Sequence, residues 1–316
     1  MSRRPRPRTL LLAVAGVVVL LLLTAVVDGL VVTHRVPTVA VTAPGSDDGT
    51  TYLLAASDSR DRLATADRAR YADRHQPSGE RADLVLLLRG DAQGRATLYS
   101  LPRDLYVGQR RGSPHRLGLA LQDGPQSLVD SLCQDLGIGV DHVLVVDMAA
   151  LVQLVDATGG VTVRVDRPTR DVRARLDLSN SGVHHLDGRG ALAWVRSRSP
   201  QVLVDGRWVG DTTADPTRTA HAKDVLTQVA ARLDDPVTLQ RAAWSVGPRL
   251  RRDADLGPVG LVALGRSLQD ALAAGRQVTV PARAKGTAVP FAFVTPETTR
   301  ALEPLVSAGC AASATG

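Results

Sequence analysis

The sequence predicts that charged residues from two separate stretches meet at the open end of one β-hairpin. Residues 83–88 and 96–100 form apolar runs, and the segment between them is rich in glycine, which is typical of a hairpin turn. With Leu88 opposite Ala96, the start of the first strand lies beside the end of the second. The charged residues at that end are Arg81, Asp83, Arg103 and Asp104. Mg²⁺ prefers carboxylate oxygens, and an arginine binds phosphate oxygens through two parallel hydrogen bonds. This grouping therefore predicts a site for a metal ion and an anion.

Further polar residues lie at the ends of other predicted elements. Asp58 follows the apolar run Thr51–Ala56. Arg196 and Arg198 would share a face if extended, and Arg218 lies in the first turn of a predicted helix, where free N–H groups favour an anion. Cleavage of a pyrophosphate requires its charge to be neutralised while the reacting groups are aligned, and carboxylates that hold a metal together with arginines supply this. The alternative is that these are surface ion pairs, which holds for most arginines of this chain taken singly.

Arginine dominates the charge of the chain. Of the 38 basic residues only Lys223 and Lys285 are lysines, so a single arginine is weak evidence for a site. The net charge of +6 includes four arginines in the first eight residues, which leaves about +2 for the remainder. A nucleic-acid-binding surface needs a concentrated basic face. We therefore do not expect nucleic acid as a partner.

Several familiar catalytic patterns do not occur in the sequence. It contains no G-x-S-x-G, H-E-x-x-H or P-loop motif, which disfavours a serine hydrolase, a zinc peptidase and a nucleotide kinase. The adjacent His184 and His185 would point apart, so they do not predict a metal site. Trp194, Trp208 and Trp244 are expected to pack in the core or in a groove.

The N-terminal region predicts a plasma-membrane anchor. Thr9 to Val27 is uncharged for 19 residues, long enough to cross a bilayer as a helix. Because arginines precede this run, the positive-inside rule places the N-terminus in the cytoplasm and the rest outside. We expect a basic cytoplasmic tail (1–8), a transmembrane signal anchor (9–32) and an extracytoplasmic linker (33–50). The alternative is a cleaved signal peptide, which the long apolar run and the lack of a clear A-x-A site disfavour.

The rest of the chain alternates predicted strands with predicted helices. Strands are expected at 51–56, in the hairpin, and at 142–146, 161–165 and 277–280; helices are expected at 127–136, 148–157, from Gly188 through Trp194, from the Asp215-Pro216 start to Arg232, and at 237–251 and 258–274. Residues 61–76 predict a helix or a mobile surface segment, and 166–183 a polar loop. The pattern predicts one α/β domain over 51–310, a central mixed β-sheet flanked by helices in an α-β-α sandwich, and a frayed C-terminus at 311–316.

The two cysteines, Cys133 and Cys310, leave two interpretations open. In an oxidising exterior they could pair and tie a central helix to the C-terminus. Two free buried thiols are the other possibility. Neither a metal-binding C-x-x-C spacing nor a third cysteine is present.

Six motifs in order resemble the LytR-CpsA-Psr family of cell-wall phosphotransferases. They cover about residues 50 to 310, and their specificity lies in their combination. The motifs are L-L-A-A-S-D-S-R (53–60), R-A-D-L-V-L-L-L (81–88), S-L-P-R-D-L-Y-V (100–107), L-V-D-A-T-G-G-V (154–161), H-H-L-D-G-R-G-A-L-A-W-V-R-S-R (184–198) and D-P-T-R-T (215–219).

The resemblance implies a substrate, a cofactor and a role for each matched residue. The substrate would be a polyprenyl-pyrophosphate-linked glycopolymer, transferred to peptidoglycan with Mg²⁺, and the lipid would lie in a groove of aliphatic side chains beside the membrane. Asp58 and Asp83 would bind the metal, and Asp104 would orient Arg103 instead of contacting the metal. On geometry alone, and not from the resemblance, Asp83 and Asp104 are the candidates for the general base. The pyrophosphate ligands would be Arg81, Arg103, Arg196, Arg198 and Arg218.

The chain departs from the family pattern at two places. After D-P-T-R-T the family usually continues with Arg-Gln two residues on, whereas this chain has His221-Ala222. His221 could supply a donor to the pyrophosphate or could serve only in packing. Gly118 stands where the family usually has Asn. These departures keep two alternatives to the transferase open: a pyrophosphatase, and a non-catalytic scaffold that binds lipid carrier or wall polymer.

Overall fold

The predicted α/β architecture is confirmed in the structure, a computed structural model that describes residues 27–59, 79–109, 112–197, 199–211, 214–285 and 291–310, with the backbone alone for 214–219. Residues 61–76 and 311–316, for which predictions were made, lie outside the described part. The strands are β1 Thr38–Val39, β2 Thr50–Ser57, β3 Ala82–Gly90, β4 Ala96–Leu101, β5 Tyr106–Val107, β6 His115–Arg116, β7 His142–Val146, β8 Val161–Val165, β9 Thr169–Asp171, β10 Leu176–Leu178, β11 Gly182–Leu186, β12 Gln201–Val204, β13 Arg207–Gly210, β14 Leu250–Asp253, β15 Gln277–Thr279, β16 Arg283–Lys285 and β17 Phe291–Phe293.

Seven helices are named, and several begin at residues whose side chains satisfy their first N–H groups. They are α1 Pro125–Leu136, α2 Met148–Ala157, α3 Gly188–Arg196, α4 Ala214–Arg232, α5 Pro236–Val246, α6 Pro258–Ala273 and α7 Pro296–Leu302. The Asp147, Asp187 and Asp235 carboxylates each accept an N–H three residues on, at 2.7–2.8 Å, as N-caps of α2, α3 and α5. Residues 27–34 are also helical.

The central sheet is mixed and has seven strands in the order β1-β14-β7-β2-β3-β4-β15. β2 and β7 are parallel, whereas β2, β3 and β4 form an antiparallel meander. Smaller sheets join β10-β9-β12-β13, β11-β8, β16-β17 and β5-β6.

Both faces of the central sheet are covered, which explains why its inner strands β2, β3 and β7 are largely apolar. Leu53 and Leu87 face α1 in one buried cluster, while Leu88 faces α6 in another. Each fully buried leucine contributes about 1.5–3 kcal/mol through its removal from water. The sandwich of helices around the sheet is therefore the predicted one.

The hairpin register differs from the prediction by two residues. Gly90, not Leu88, faces Ala96, and Val85 faces Leu101. The turn sets this register: Asp91 N–H donates to Arg95 O at 2.9 Å, and Gly94 adopts a left-handed φ of 77°, as in a three-residue loop. A shift of two keeps every side chain on its predicted face, because the strand period is two.

Residues 33–50, predicted as a linker, instead pack against the domain. β1 pairs in parallel with β14, and Val36 is 3% exposed. Further along, the Asp47 carboxylate accepts hydrogen bonds from the Ser307 hydroxyl and the Ala308 N–H at 2.8 and 2.7 Å. This stretch is not a free tether, because β1 covers the open edge of β14 and the Asp47 carboxylate binds the C-terminal segment.

Three predicted boundaries also differ. The predicted loop 166–183 contains β9 and β10, whose short alternations bury Leu176 and Leu178. The predicted helix 237–251 ends at Val246, since Pro248 cannot continue it, and the chain turns into β14. The next difference is smaller: α4 begins at Ala214, ahead of the predicted start at Asp215-Pro216.

Cys133 of α1 forms a disulfide with Cys310, across 177 residues of chain. Of the two interpretations, the structure therefore selects pairing.

None of the described helices is long and apolar enough to cross a membrane. Most of the predicted anchor, residues 9–26, falls outside the described residues.

Candidate functional site

Asp58 and Arg81 lie side by side where β2 ends and β3 begins. The strand register shifts between Ala56 and Ser57. Beyond that irregularity Asp58 N–H donates to Arg81 O at 2.8 Å, and Arg81 N–H donates to Asp58 Oδ1 at 2.7 Å. Arg81 Nε lies 3.5 Å from Asp58 Oδ2, and the Asp58 side chain is only 5% exposed. The carboxylate is thus held rigidly by the backbone of the residue that faces it.

Asp83 and Arg103 form the second ion pair of the site. Arg103 Nη1 donates to Asp83 Oδ1, and both side chains are about one-quarter exposed (29% and 25%). Asp104 lies on the far side of Arg103, with Oδ2 3.5 Å from Arg103 Nε. Its other oxygen, Oδ1, lies 3.6 Å from Arg116 Nε. Asp104 therefore holds two guanidinium groups in place, consistent with the supporting role expected for it.

Arg116 is a site residue that the sequence analysis did not single out. It lies on β6, next to Asp104, and its guanidinium carbon is 4.9 Å from the centre of the Phe291 ring. Tyr106 packs edge-on against the same ring at 5.2 Å. In the sequence, Arg116 could have been recognised by its position two residues before Gly118. The abundance of arginine in the chain concealed that signal.

Gly118 lets the β6 segment approach the hairpin closely. Its N–H donates to Arg103 O at 2.7 Å. A Cβ at this position would lie 2.5 Å from Ala82 O and 3.1 Å from Arg103 Cβ. No side chain fits without a shift of backbone, so glycine here is part of how Arg103 is positioned.

A second group missed by the sequence analysis supports the Asp58 side of the site. Glu80 accepts hydrogen bonds from the Ser57 hydroxyl and from Arg251 Nη2. Ser57 Oγ in turn accepts the Ser59 N–H at 3.0 Å. Glu80 and Arg251 therefore link β14 to the end of β2 and the start of β3, where Asp58 and Arg81 lie.

Two of the remaining predicted arginines lie on a pair of packed helices. Arg196 is the last residue of α3, and Arg218 lies near the start of α4. Arg198 and the side chain of Arg218 are outside the described residues, so their expected contacts with pyrophosphate stay predictions. Adjacent residues of these helices, Trp194 and His221, stack with ring centres 3.8 Å apart.

His221 is partly buried. Burial lowers the pKa of its imidazole, and a hydrogen bond with the Trp194 backbone and the charge of Asp224 oppose that effect. A neutral imidazole supplies a hydrogen bond but no fixed positive charge. The ring stacks on Trp194, and its expected contact with pyrophosphate stays a prediction.

The oxygen donors of the site suit Mg²⁺ shared with a substrate. Mg²⁺ keeps several waters and is commonly held by one or two carboxylates together with substrate phosphates. Asp58 and Asp83 extend from neighbouring strands at one end of the sheet. Within the described ranges no group of three or more His, Cys, Asp or Glu residues could hold a metal ion. The residues present thus fit a metal held by two carboxylates and a phosphate, and not one enclosed by protein alone.

Comparison with known proteins identifies the family. The family model LytR_cpsA_psr matches residues 31–295. The chain belongs to the LytR_cpsA_psr family. The predicted resemblance is therefore confirmed, and the match includes the hairpin cluster, both arginine-bearing helices and the packed segment before β2.

Relatives and solved structures agree with this membership. The probable cell wall biosynthesis protein LcpB of Corynebacterium glutamicum is 32% identical over 167 residues, which is 52% of this chain and 40% of LcpB. The chain thus spans less than half the length of this relative. The LytR-Csp2A-Psr enzyme from Actinomyces oris is 29% identical, with a TM-score of 0.69 over 87% of this chain and 97% of that one. TagT bound to LI-WTA, 18% identical with a TM-score of 0.53 over 84% of this chain and 94% of TagT, shows the same fold.

Proposed function

We propose that the chain is an extracytoplasmic, Mg²⁺-dependent phosphotransferase that moves a glycopolymer from a polyprenyl-pyrophosphate carrier to peptidoglycan and releases polyprenyl phosphate. Membership of the LytR_cpsA_psr family supports the transferase class. The observation that carries the proposal is the pair of adjacent ion pairs, Asp58 with Arg81 and Asp83 with Arg103, at one end of the sheet. They bring carboxylates, which suit a metal ion, next to guanidinium groups, which suit a pyrophosphate.

The residues of the site would act mainly by neutralising charge and by alignment. Asp58 and Asp83 would hold Mg²⁺, which when bound polarises a phosphoryl oxygen. Arg81 and Arg103 would turn from the carboxylates to the pyrophosphate oxygens, where guanidinium groups bind in a bidentate manner. Asp104 would keep Arg103 and Arg116 oriented, so that little reorganisation remains when charge develops on the leaving phosphate.

We also propose that the domain is held outside the cell at the plasma membrane. The uncharged run that ends at Val27 would cross the bilayer with residues 1–8 inside. This arrangement brings the site to the surface that presents a lipid-linked substrate.

The test uses the full chain in vesicles with a polyprenyl-pyrophosphate-linked glycan, peptidoglycan fragments and Mg²⁺. The expected products are glycan attached to peptidoglycan and free polyprenyl phosphate. Asp83→Asn and Arg103→Gln should each lower transfer at least about a hundredfold, as loss of a group that stabilises the transition state does. Asp177→Asn, at an exposed position of β10, is the matched control and should retain activity. Undiminished transfer in both site variants would refute the assignment.

One observation favours a second candidate, a non-catalytic scaffold. Ala222 lies one turn after Arg218 on α4, where the usual glutamine amide is missing. Gly118 no longer supports this alternative, because the structure needs glycine there. A scaffold would retain the lipid-linked glycan without turnover in the same assay. A pyrophosphatase would release phosphorylated glycan without attaching it to peptidoglycan.

A further inference from the structure

The segment before β1 is fixed to the domain by a small polar cluster. We use the name stem for residues 27–36, which comprise helical residues 27–34 and the two that follow. The Asp28 carboxylate accepts Trp244 Nε1–H at 3.0 Å and Gln240 Nε2–H at 2.6 Å, both from α5. The Arg35 guanidinium carbon lies 4.4 Å from the centre of the Trp244 ring. Both ends of the stem therefore contact the same face of α5.

Further along, the stem continues into the sheet that carries the site. Val36 is buried against Gly247, and Pro37 O accepts the Arg252 N–H of β14 at 3.0 Å. Arg251, the residue before Arg252, donates a hydrogen bond to Glu80, which is next to Arg81 in the chain. The stem thus connects to the Asp58–Arg81 pair through one strand and one ion pair.

The outer surface at this junction is apolar. The stem exposes Val27, Leu30 and Val31 by 58%, 48% and 40%, and α5 exposes Val237 by 65%. On α5, Val237, Arg241 and Trp244 share one helical face, and with Pro236 and Gln240 they line a shallow open pocket. Aliphatic side chains with a tryptophan and arginines beside them are typical of a membrane–water interface.

Chain continuity indicates what covers this surface. Val27 is both the last residue of the uncharged run and the first described residue of the stem helix. If that run crosses the bilayer, Val27 lies at the outer leaflet. An α-helix rises about 1.5 Å per residue, so Arg35 lies only about 12 Å further out. The face of α5 that binds the stem is therefore at the height of the lipid headgroups.

We propose that the exposed stem residues and the Pro236–Trp244 face of α5 form one surface that lies on the outer leaflet, so that the membrane fixes the orientation of the site. This proposal rests on the proposed membrane anchor and is independent of the transfer reaction. The alternative occupant, a second copy of the chain, is an outcome of the test below.

The experiment uses a single fluorescent label on the full chain. The only two cysteines are joined in a disulfide, so an introduced cysteine is the sole free thiol. Val237→Cys is labelled with an environment-sensitive fluorophore and inserted into phosphatidylcholine–phosphatidylglycerol vesicles that contain lipids with a nitroxide near the headgroup. Thr279→Cys is the matched control, since threonine is isosteric with valine and Thr279 is exposed on β15, the opposite edge strand of the sheet.

We expect severalfold stronger quenching at position 237 than at position 279, in protein that floats with the vesicles. Adding Asp28→Ala should reduce the quenching at 237 while flotation persists, because the stem is released from α5. Protein that floats but shows equal quenching at both positions would overturn the proposal and leave the anchor intact. A change in the fluorescence emission of the label at position 237 that depends on protein concentration, and not on the nitroxide lipid, would assign the surface to contact with a second copy of the chain. Protein that does not float would overturn both the anchor and this surface.

Discussion

Arg103 donates to Asp83 across the hairpin, just beyond the last paired residues, Val85 and Leu101. On the neighbouring strand Arg81 faces Asp58 in the same way. Each carboxylate expected to bind a metal is thus in contact with an arginine expected to bind pyrophosphate. A metal ion that binds the carboxylates would free the arginines for the pyrophosphate. A pyrophosphate that binds the arginines would likewise free the carboxylates for the metal ion.

This arrangement predicts that Mg²⁺ and a prenyl pyrophosphate bind cooperatively. Farnesyl pyrophosphate should raise the affinity for Mg²⁺ by about tenfold, and Mg²⁺ should raise the affinity for farnesyl pyrophosphate equally, because coupling is reciprocal. Titration calorimetry with each ligand, alone and in the presence of the other, measures both factors.

The Arg103→Gln variant gives this coupling a distinctive sign. Removing the guanidinium beside Asp83 should strengthen Mg²⁺ binding in the absence of pyrophosphate, because a nearby positive charge is gone. The same variant should weaken farnesyl pyrophosphate binding and reduce the coupling. Weaker Mg²⁺ binding in Arg103→Gln would contradict the account.

Gly118 is predicted to be indispensable for the geometry of the hairpin end. Gly118→Ala should lower the free energy of unfolding by about 1–3 kcal/mol, since a Cβ would lie 2.5 Å from Ala82 O. Gly118→Asn should do so at least as strongly, although asparagine is usual in the family. Urea denaturation measures the change. Gly210→Ala is the control, because no atom lies within 4 Å of its added Cβ, and it should change stability by less than about 0.5 kcal/mol.

The elements that the sequence predicted well are those with long apolar or periodic patterns. The bounds of β7, α2 and β8 agree with the prediction to the residue, because each is a continuous run between turn residues or caps. β9 and β10 were missed because three-residue alternations are too short to distinguish from a loop. Their stability depends on tertiary contacts: the buried Asp171 carboxylate accepts the Ala174 N–H and the Ser197 hydroxyl at 3.1 and 2.9 Å.

The site was predictable where strand ends dictated it and not where distant segments meet. Adjacent strands had to bring Asp58 and Asp83 to the same end of the sheet. Arg116 lies on the short strand β6 and Arg251 on β14. In an arginine-rich chain, only the place of Arg116 two residues before Gly118 distinguishes either of them from the other arginines. The correct register depended on the left-handed Gly94 of the turn, which the apolar pattern alone does not specify.

The disulfide between Cys133 and Cys310 is predicted to contribute substantially to stability. It closes a loop across 177 residues of chain, so its removal frees much conformational entropy in the unfolded state. The double variant Cys133→Ala/Cys310→Ala should lose about 2–5 kcal/mol of unfolding free energy. Thermal or urea denaturation should show the same loss when the native chain is reduced, and a reductant should have no effect on the double variant. Equal stability of the oxidised and reduced native chain would contradict the prediction.

His221 is predicted to make the stability of the domain depend on pH in the mildly acidic range. Burial lowers the pKa of the folded-state imidazole below its usual value, so the unfolded chain takes up the proton more readily. Where the unfolded state binds more protons, stability increases with pH. The contribution of this group is therefore fully present above about pH 6.5 and decreases as the pH falls below that value.

His221→Phe keeps a ring to stack on Trp194 but cannot take up a proton. The unfolding free energy of the native chain should fall more steeply between about pH 7 and pH 5 than that of His221→Phe. The Asp270 carboxyl, whose pKa is lowered by its hydrogen bond from Arg276, is common to both proteins. Identical pH profiles for the two proteins would show that the folded-state imidazole accepts a proton as readily as the unfolded one.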